Sequence, residues 1–512
     1  MKLTLFVAAA VGFTLAPLAA TATASQARNS RITITAQNPG AKPFISKLNL
    51  SISNLKVLTR IQFTIRPKPG SVTRPLSATY SKEHLRGRGF VSAATGQVTF
   101  PVYGLYDNYN NTVTLKYTFA DGSWKKAVTT IPTALFDDAC DLNTPHVRKA
   151  RSATTELSYD YMLIASSCSG NAPTIIDTDG AVRWVGTAGI KQHYTTFFRN
   201  GIYTAHGSSL LRMELDGEVS VVADYASEGV IGFHHNIDRG RSGMIIDVHT
   251  SSYIATVHLE VDRYGKILKR WNLADIIRQA MIEGGDDPAS FVREANGNYT
   301  FQAYEDWTHN NATTYRKSDN SLIISSRENF VICLDYDTSA IKWILGDTAK
   351  EWYQYPSLRK YALAMAPGSI APVGQHTVSI TKDDNLLLFD NGQRSVHHVP
   401  TGPNRSYSAP RKYSIDVEGM IATELWNFPN EQSIRSAFRS SVYEDAPNNY
   451  LIDYAIARNP DGSERAQLVG LAASGEKVFD YSYPTTACCH EAYRAIPLHW
   501  ERLMFVTPIK TE

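Results

Sequence analysis

Along most of this chain apolar and polar residues alternate with a period of two, in short runs broken by Gly, Pro, Asn and Asp. That period belongs to half-buried β-strands. Between about residues 30 and 133 the runs are Ile32-Thr33-Ile34-Thr35, Ile61-Gln62-Phe63-Thr64-Ile65, Val98-Thr99-Phe100-Pro101-Val102 and Val113-Thr114-Leu115-Lys116-Tyr117. Short strands with Pro and Gly between them predict a small antiparallel sandwich. Only Leu273 to Met281 shows convincing helical spacing, and it is short.

From Cys140 onward another pattern repeats. A hydrophobic strand enters an acidic or small turn and returns as a second strand ending in an aromatic. The six copies run from Ile175 to Trp184, Met213 to Tyr225, Leu259 to Trp271, Ile332 to Trp343, Tyr413 to Trp426 and Val469 to Tyr481. The spacing is irregular and the last copy lacks the turn Asp. A hairpin recurring at blade-sized intervals is the mark of a β-propeller, built of four-stranded blades. The expected fold is therefore all-β: a six-bladed β-propeller over residues 139–512, preceded by a small β-sandwich domain over 25–138.

The N-terminus breaks this pattern. Lys2, the apolar stretch Leu3 to Leu18 and Ala22-Thr23-Ala24 have the layout of a cleavable signal peptide over residues 1–24. A periplasmic or secreted protein is expected. No later segment reaches the roughly 20 apolar residues of a membrane span. With 51 basic and 49 acidic residues, and no basic cluster, the chain lacks the footprint of a nucleic-acid binder. The five cysteines, Cys140, Cys168, Cys333, Cys488 and Cys489, are an odd number and leave at least one thiol unbridged within the chain. Neither a C-x-x-C pair nor an H-E-x-x-H helix is present, so no metal and no cofactor is expected.

Candidate chemistry lies between the hairpins, where each blade's innermost strand should begin. His193, His234-His235, His309 and His376 occupy such places, followed by Arg439 and His490. Inner strands line the axial channel, so these positions should converge on one cavity. Imidazole is a nucleophile and proton carrier near neutral pH. Imidazoles grouped with a guanidinium, such as that of Arg327, suit a tetrahedral anion. No carboxylate stands beside the histidines in sequence, which speaks against a glycosidase pair and against a metal site. Covalent transfer through a histidine fits this set.

Six segments in order carry a resemblance. They are Phe233-His234-His235-Asn236-Ile237-Asp238, Asp306-Trp307-Thr308-His309-Asn310-Asn311, Ile324-Ser325-Ser326-Arg327, Ile341-Lys342-Trp343-Ile344-Leu345-Gly346, Gln375-His376-Thr377-Val378 and Phe389-Asp390-Asn391-Gly392. Together with Pro101-Val102-Tyr103-Gly104-Leu105-Tyr106 in the first domain, they make the chain resemble the bacterial arylsulfate sulfotransferases that use no nucleotide donor. The resemblance implies sulfuryl transfer from a phenolic sulfate ester to a phenol through a transient sulfohistidine. It places the nucleophile at His376, sulfuryl contacts and proton transfer at His309 and Asn311, and charge neutralisation at Arg327. A further catalytic imidazole falls at His235, with His234 supporting it. Arg439, Ser440 and His490 would complete the rim as substrate contacts, and His193 would be a structural or rim residue. Trp307, Tyr304 and Phe389 are candidates for ring stacking or for blade core.

The altered stretch Tyr407-Ser408-Ala409-Pro410-Arg411 leaves Arg411 outside the site, and 346–375 contains no cysteine. The resemblance also leaves a homodimer open. Two other readings stand beside it: a propeller sulfate-ester hydrolase, and a non-catalytic propeller that binds small anions or glycans.

Overall fold

The computed structural model describes residues 25–166, 170–294, 305–458, 461–485 and 492–506. Residues 1–24, expected to be a signal peptide, and Tyr304, His490, Cys168, Cys488 and Cys489 lie outside the described residues. Each alternating run of the first region falls within a strand: Ile32–Pro39, Leu58–Ile65, Gln97–Tyr103 and Asn110–Phe119. These strands belong to two sheets, one of four strands and one of five, that pack as a sandwich around Leu48, Phe63, Phe100 and Leu115. The fifth strand of the larger sheet comes from the far end of the chain. Arg502–Phe505 pairs in parallel with Leu76–Ser81, so this strand joins the sandwich rather than the propeller.

The remaining strands form a β-propeller, in which six sheets follow one another among the described residues. The six sequence hairpins are the third and fourth strands of these sheets counted from the innermost, for example Val331–Asp335 with Ile341–Leu345; in two sheets a fifth strand, Ala364–Met365 or His146–Lys149, lies outside them. Their terminal aromatics explain the repeat, because each reaches the next sheet. Trp184 Nε1 donates to Leu215 O at 3.1 Å, Tyr225 Oη to Gly265 O at 2.9 Å, Trp271 Nε1 to Tyr336 O at 3.3 Å and Tyr481 Oη to Thr178 O at 2.8 Å. Trp426 instead stacks on Tyr450 with ring centres 4.2 Å apart. A large apolar ring suits this place, since it fills the inter-sheet core, and in four of the six copies its polar handle satisfies a turn carbonyl; Trp343 shares a core with Leu386 and Tyr413 while its Nε1 has no partner among the described residues.

The ring closes by combining both ends of the domain. Ala492–Leu498 is the innermost strand of the sheet whose other strands are Tyr161–Ser166, Thr174–Asp177 and Val182–Val185, with Tyr161 opposite Leu498. Arg494 then donates to Thr195 O at 2.5 Å in the following sheet.

The sandwich sits against this closing sheet. Buried Arg183 donates to Gly104 O at 2.6 and 3.0 Å, pairs with Asp177 at 2.9 Å and lies 3.7 Å from the Tyr106 ring centre. Gly104 has φ of 79°, and a Cβ there would lie 2.7 Å from Leu76 Cδ1. The first-domain segment that carried resemblance is thus the joint between the domains.

Helix Leu273–Gly284 is capped by the Asn272 side chain and ends at left-handed Gly285. It packs Leu273, Ile277 and Met281 beside Trp271 and Trp352.

Candidate active site

The six innermost strands are Thr195–Phe198, Val230–Arg239, Asn310–Arg316, His376–Ile380, Ser441–Ala446 and Ala492–Leu498. Each described candidate imidazole stands inside one of them or within two residues of its start. A local distortion recurs there. His235 has φ of 52°, His309 of 43°, Thr377 of 56°, Arg439 of 60° and Ser440 of 78°. Strand register shifts between Phe233 and Ile237, between Asn310 and Ala312, and between His376 and Ser379. These are β-bulges with non-glycine residues in the left-handed region, a costly conformation that re-aims side chains.

The bulge answers which of His234 and His235 turns inward: both do. Their ring centres are 3.9 Å apart, and both rings lie within 5.0 Å of the His309 ring centre. Alternation would have sent one of them to the opposite face.

Around His309 the imidazoles form a chain. Asp306 Oδ2 lies 2.6 Å from His309 Nδ1, His309 Nε2 lies 3.1 Å from His235 Nε2, and His235 Nδ1 lies 2.9 Å from His193 Nε2. The carboxylate oxygen accepts, so a neutral His309 carries its proton on Nδ1 and accepts at Nε2. His235 then donates through Nε2 and accepts from His193 at Nδ1. Two sequence expectations are corrected here. A carboxylate does adjoin the histidines, and His193 belongs to their network rather than to the rim. Asp306 was visible three residues before His309 but on no regular element.

Tyr493 was missed altogether. Its ring stacks on His193 at 4.2 Å and on His235 at 5.0 Å between ring centres, and edges toward His376 at 6.5 Å. Sequence inspection placed the sixth element at His490, three residues earlier, and looked for an imidazole rather than a phenol.

His376 stands apart from the chain, in a separate cradle. Its Nδ1 lies 2.7 Å from Asn391 Oδ1 and 3.2 Å from Gly374 O, and its Nε2 accepts the Arg439 N–H at 3.1 Å. Asn391 is itself oriented, because Nδ2 donates to Ser436 O at 2.7 Å and Arg439 O at 2.9 Å. Its Oδ1 must therefore face the imidazole. The outcome is a neutral ring with the proton on Nδ1 and the lone pair on Nε2.

Electrostatics agrees with neutral imidazoles. Burial, and after it the Arg327 charge, pushes His376 well below the usual histidine value, against the opposing pull of Asn391. Burial and the neighbouring rings do the same for His235 and His234. Burial, with Arg439 and Arg494, takes His193 down to about 3.

Arg327 is buried and already paired: Nε donates to Glu328 Oε1 at 2.8 Å, and Nη2 donates to the same oxygen. Burial opposes ionisation of Glu328, but Arg327 and then the Ser395 hydroxyl hold its carboxyl well below the usual range. Glu328 Oε2 accepts from Ser395 Oγ and from the Val396 N–H, both at 2.6 Å. A clamp anchored in this way keeps its position while sharing part of its charge.

Asn311 Nδ2 donates to Gln375 O at 2.8 Å, holding the backbone before His376. The Ser440 hydroxyl is engaged with Ser436 Oγ at 2.9 Å and the Ala455 N–H at 3.0 Å, while its carbonyl accepts from Thr377. The Arg439 guanidinium lies 5.7 Å from the Tyr493 ring centre. Trp307 and Phe389 are fully buried among apolar residues and belong to the blade cores. Arg411 pairs with Asp390 and Glu424, both at 2.7 Å, away from the imidazoles. Cys333 is a buried free thiol, and Cys140 is disulfide-bonded.

Comparison with known proteins follows this geometry. Residues 147–494 match a family model described as Arylsulfotransferase (ASST), and residues 48–134 match one described as Arylsulfotransferase Ig-like domain. The chain is similar to "Arylsulfate sulfotransferase AssT" of Escherichia coli O6:H1, with 23% identity over 377 residues, covering 62% of this chain and 60% of that protein. It is also similar to the protein of the same name from Lelliottia amnigena, with 22% identity over 426 residues, covering 65% and 71%. The match thus spans about three fifths of the first relative's length. Among solved structures, the Myceliophteria_thermophila Cps50 (Swd1) β-propeller domain aligns over 67% of this chain and 100% of its own, with TM-score 0.30 and 10% identity. A Bacteroides thetaiotaomicron VPI-5482 protein of unknown function aligns over 88% and 98%, with TM-score 0.32 and 9% identity.

Proposed function

The chain belongs to the arylsulfotransferase family, and on that premise we propose that it transfers a sulfuryl group from a phenolic sulfate ester to a phenol in two steps through His376. The observation that carries this reading is the cradle of His376. A neutral Nδ1–H tautomer held by Asn391 leaves an in-plane lone pair on Nε2, as a nucleophile needs.

In the first step Nε2 forms a bond to sulfur, the sulfur–aryl oxygen bond breaks, and the phenolate leaves with the electron pair. It takes a proton from the His309–His235 pair, which enters the step carrying one proton beyond its neutral form and is left with both rings neutral, while the Arg327 charge stabilises the developing oxyanion. The Arg439 N–H moves off Nε2 as sulfur arrives. In the second step the acceptor phenol returns a proton to that pair, its oxygen attacks sulfur, and the nitrogen–sulfur bonding pair goes back to Nε2.

Asn391 suits both steps. The sulfated ring is an imidazolium that keeps its Nδ1 proton, and a neutral acceptor holds that proton without removing it. The ring therefore remains a good leaving group. Asp306 gives His309 a fixed tautomer, and Asn311 supports the His376 loop. In this reading His234, Arg439, Ser440 and His490 form the surrounding substrate contacts, and the six sheets are six blades.

Export through a cleaved leader over residues 1–24 is part of the proposal and rests on Lys2, Leu3 to Leu18 and Ala22-Thr23-Ala24. No described helix is long and apolar enough to cross a membrane. A homodimer is proposed through the edge strand Trp124–Pro132, where Trp124 and Val128 are exposed.

The test is a chromogenic phenyl sulfate with and without added phenol, combined with intact-mass analysis of the donor-treated protein. Wild type should gain a sulfuryl mass on His376 and release phenol faster with acceptor present. Release indifferent to acceptor would favour hydrolysis. Full activity in His376→Ala, with no mass gain in wild type, would overturn the covalent route.

A further inference from the structure

His234 carries neither the sulfuryl group nor a proton in the steps proposed above, and contact with a substrate would leave it unsatisfied whenever the site is empty. Its side chain is 97% buried, and no described protein group hydrogen-bonds either ring nitrogen. A neutral imidazole always carries one N–H, so a buried donor and a buried acceptor are both unmatched, at a real cost in stability. The ring is nevertheless packed into a cluster of imidazoles, against His235, His309 and His249.

One ring nitrogen from each of His234, His235 and His309 lies within 4.8 Å of the other two. A tetrahedral Zn2+ site with metal–nitrogen bonds of about 2.0–2.1 Å requires nitrogens about 3.3 Å apart. The His235–His309 pair, at 3.1 Å, is already near that spacing, so His234 has most of the distance to close. The outer contacts are those of a metal site. Asp306 accepts from His309 Nδ1, the carboxylate–histidine arrangement that orients a metal ligand and fixes its tautomer. His235 can release Nε2 to a cation by shifting its proton to Nδ1, where His193 Nε2 then accepts it.

We propose that His234, His235 and His309 form a three-histidine site for a borderline divalent cation of the Zn2+ type. Imidazole donors favour Zn2+, Co2+, Ni2+ and Cu2+ over Mg2+ or Ca2+. Sequence inspection missed the site because its ligands come from two strands rather than from one spaced motif. Its consequence rests on the function proposed above: a bound cation occupies the two imidazoles that handle the phenol proton, so filling the site blocks transfer reversibly.

The experiment uses the full, untagged chain stripped by a chelator. Titration with Co2+ should give one equivalent of saturable binding with the visible absorption of tetrahedral coordination, displaced by Zn2+. X-ray absorption of the Zn2+-loaded wild type should show three imidazole nitrogens at about 2.0–2.1 Å. His234→Ala and the more conservative His234→Gln should each weaken Zn2+ binding at least about tenfold, the lower end for altered metal-site residues. Zn2+ should stop phenol release and a chelator should restore it, with the inhibitory concentration raised in parallel by the His234 variants.

Absence of saturable uptake, a first shell lacking imidazole, or unchanged affinity in both His234 variants would overturn the site. Co2+ binding is read without substrate. Sulfuryl transfer is read without metal, so failure of one reading leaves the other standing.

Discussion

Asn391 Oδ1 receives the His376 Nδ1 proton at 2.7 Å while both protons of its own amide are held by the Ser436 and Arg439 carbonyls. A side chain so constrained cannot flip, and the tautomer of His376 is therefore set by a neighbouring backbone. Asn391→Leu should keep the fold but release the ring. The expected loss is about 10²-fold in the rate of the first phenol burst, the lower end of what a positioned acid–base partner contributes. Asn391→Asp should act differently, raising the His376 pKa and making the burst acid-sensitive. Stopped-flow phenol release against pH distinguishes the two.

Asp306 does for His309 what Asn391 does for His376, but with a charge. Asp306→Asn can donate to Nδ1 and so favours the opposite tautomer, with the proton on Nε2. Transfer to an added phenol should fall by about 10²–10⁴-fold in kcat, the scale seen when a buried carboxylate behind a catalytic imidazole is neutralised. Donor KM should change little, which steady-state kinetics at saturating acceptor will read.

Two histidines should bend the pH profile of stability in opposite directions. His376 titrates well below its usual value when folded, because of burial and Arg327. Its contribution is fully present above the unfolded value of about 6.5 and is lost as pH falls below it. His499 behaves oppositely. Hydrogen bonds to Asp445 and Glu501 raise it to about 10, so its contribution is full below about 6.5 and is lost as pH rises through 10. Denaturant midpoints should decline on the acid side below 6.5 in wild type. His499→Gln should flatten the alkaline limb alone.

Trp271 joins one sheet to the turn of the next and is 1% exposed. Trp271→Ala should cost about 3–5 kcal/mol of stability, as for other buried Trp truncations. Val221→Ala, at an exposed position of strand Val219–Asp224, should stay within about 0.5 kcal/mol. Urea unfolding of both variants provides the comparison.

Much of this protein was determined by local pattern. Period-two alternation located the sandwich strands, and the repeated hairpin with its aromatic end located the third and fourth strands of each described propeller sheet, though not the fifth strands Ala364–Met365 and His146–Lys149. Both signals are short-range, because strand geometry forces alternate residues to opposite faces. The places of His309 and His376 at the starts of inner strands followed from the same repeat.

Tertiary structure decided the rest. Local alternation allows only one of His234 and His235 to turn inward, yet a bulge with His235 at positive φ turns both in. Tyr493 reaches His193 and His235 only because the last propeller strand closes the ring against the first segments of the domain. The Arg439 N–H meets His376 Nε2 across 63 residues of sequence. Such contacts depend on ring closure and on bulges, which no periodic pattern of side chains encodes. The order of the histidines was written along the chain; the proton that each one carries was set by its partners in space.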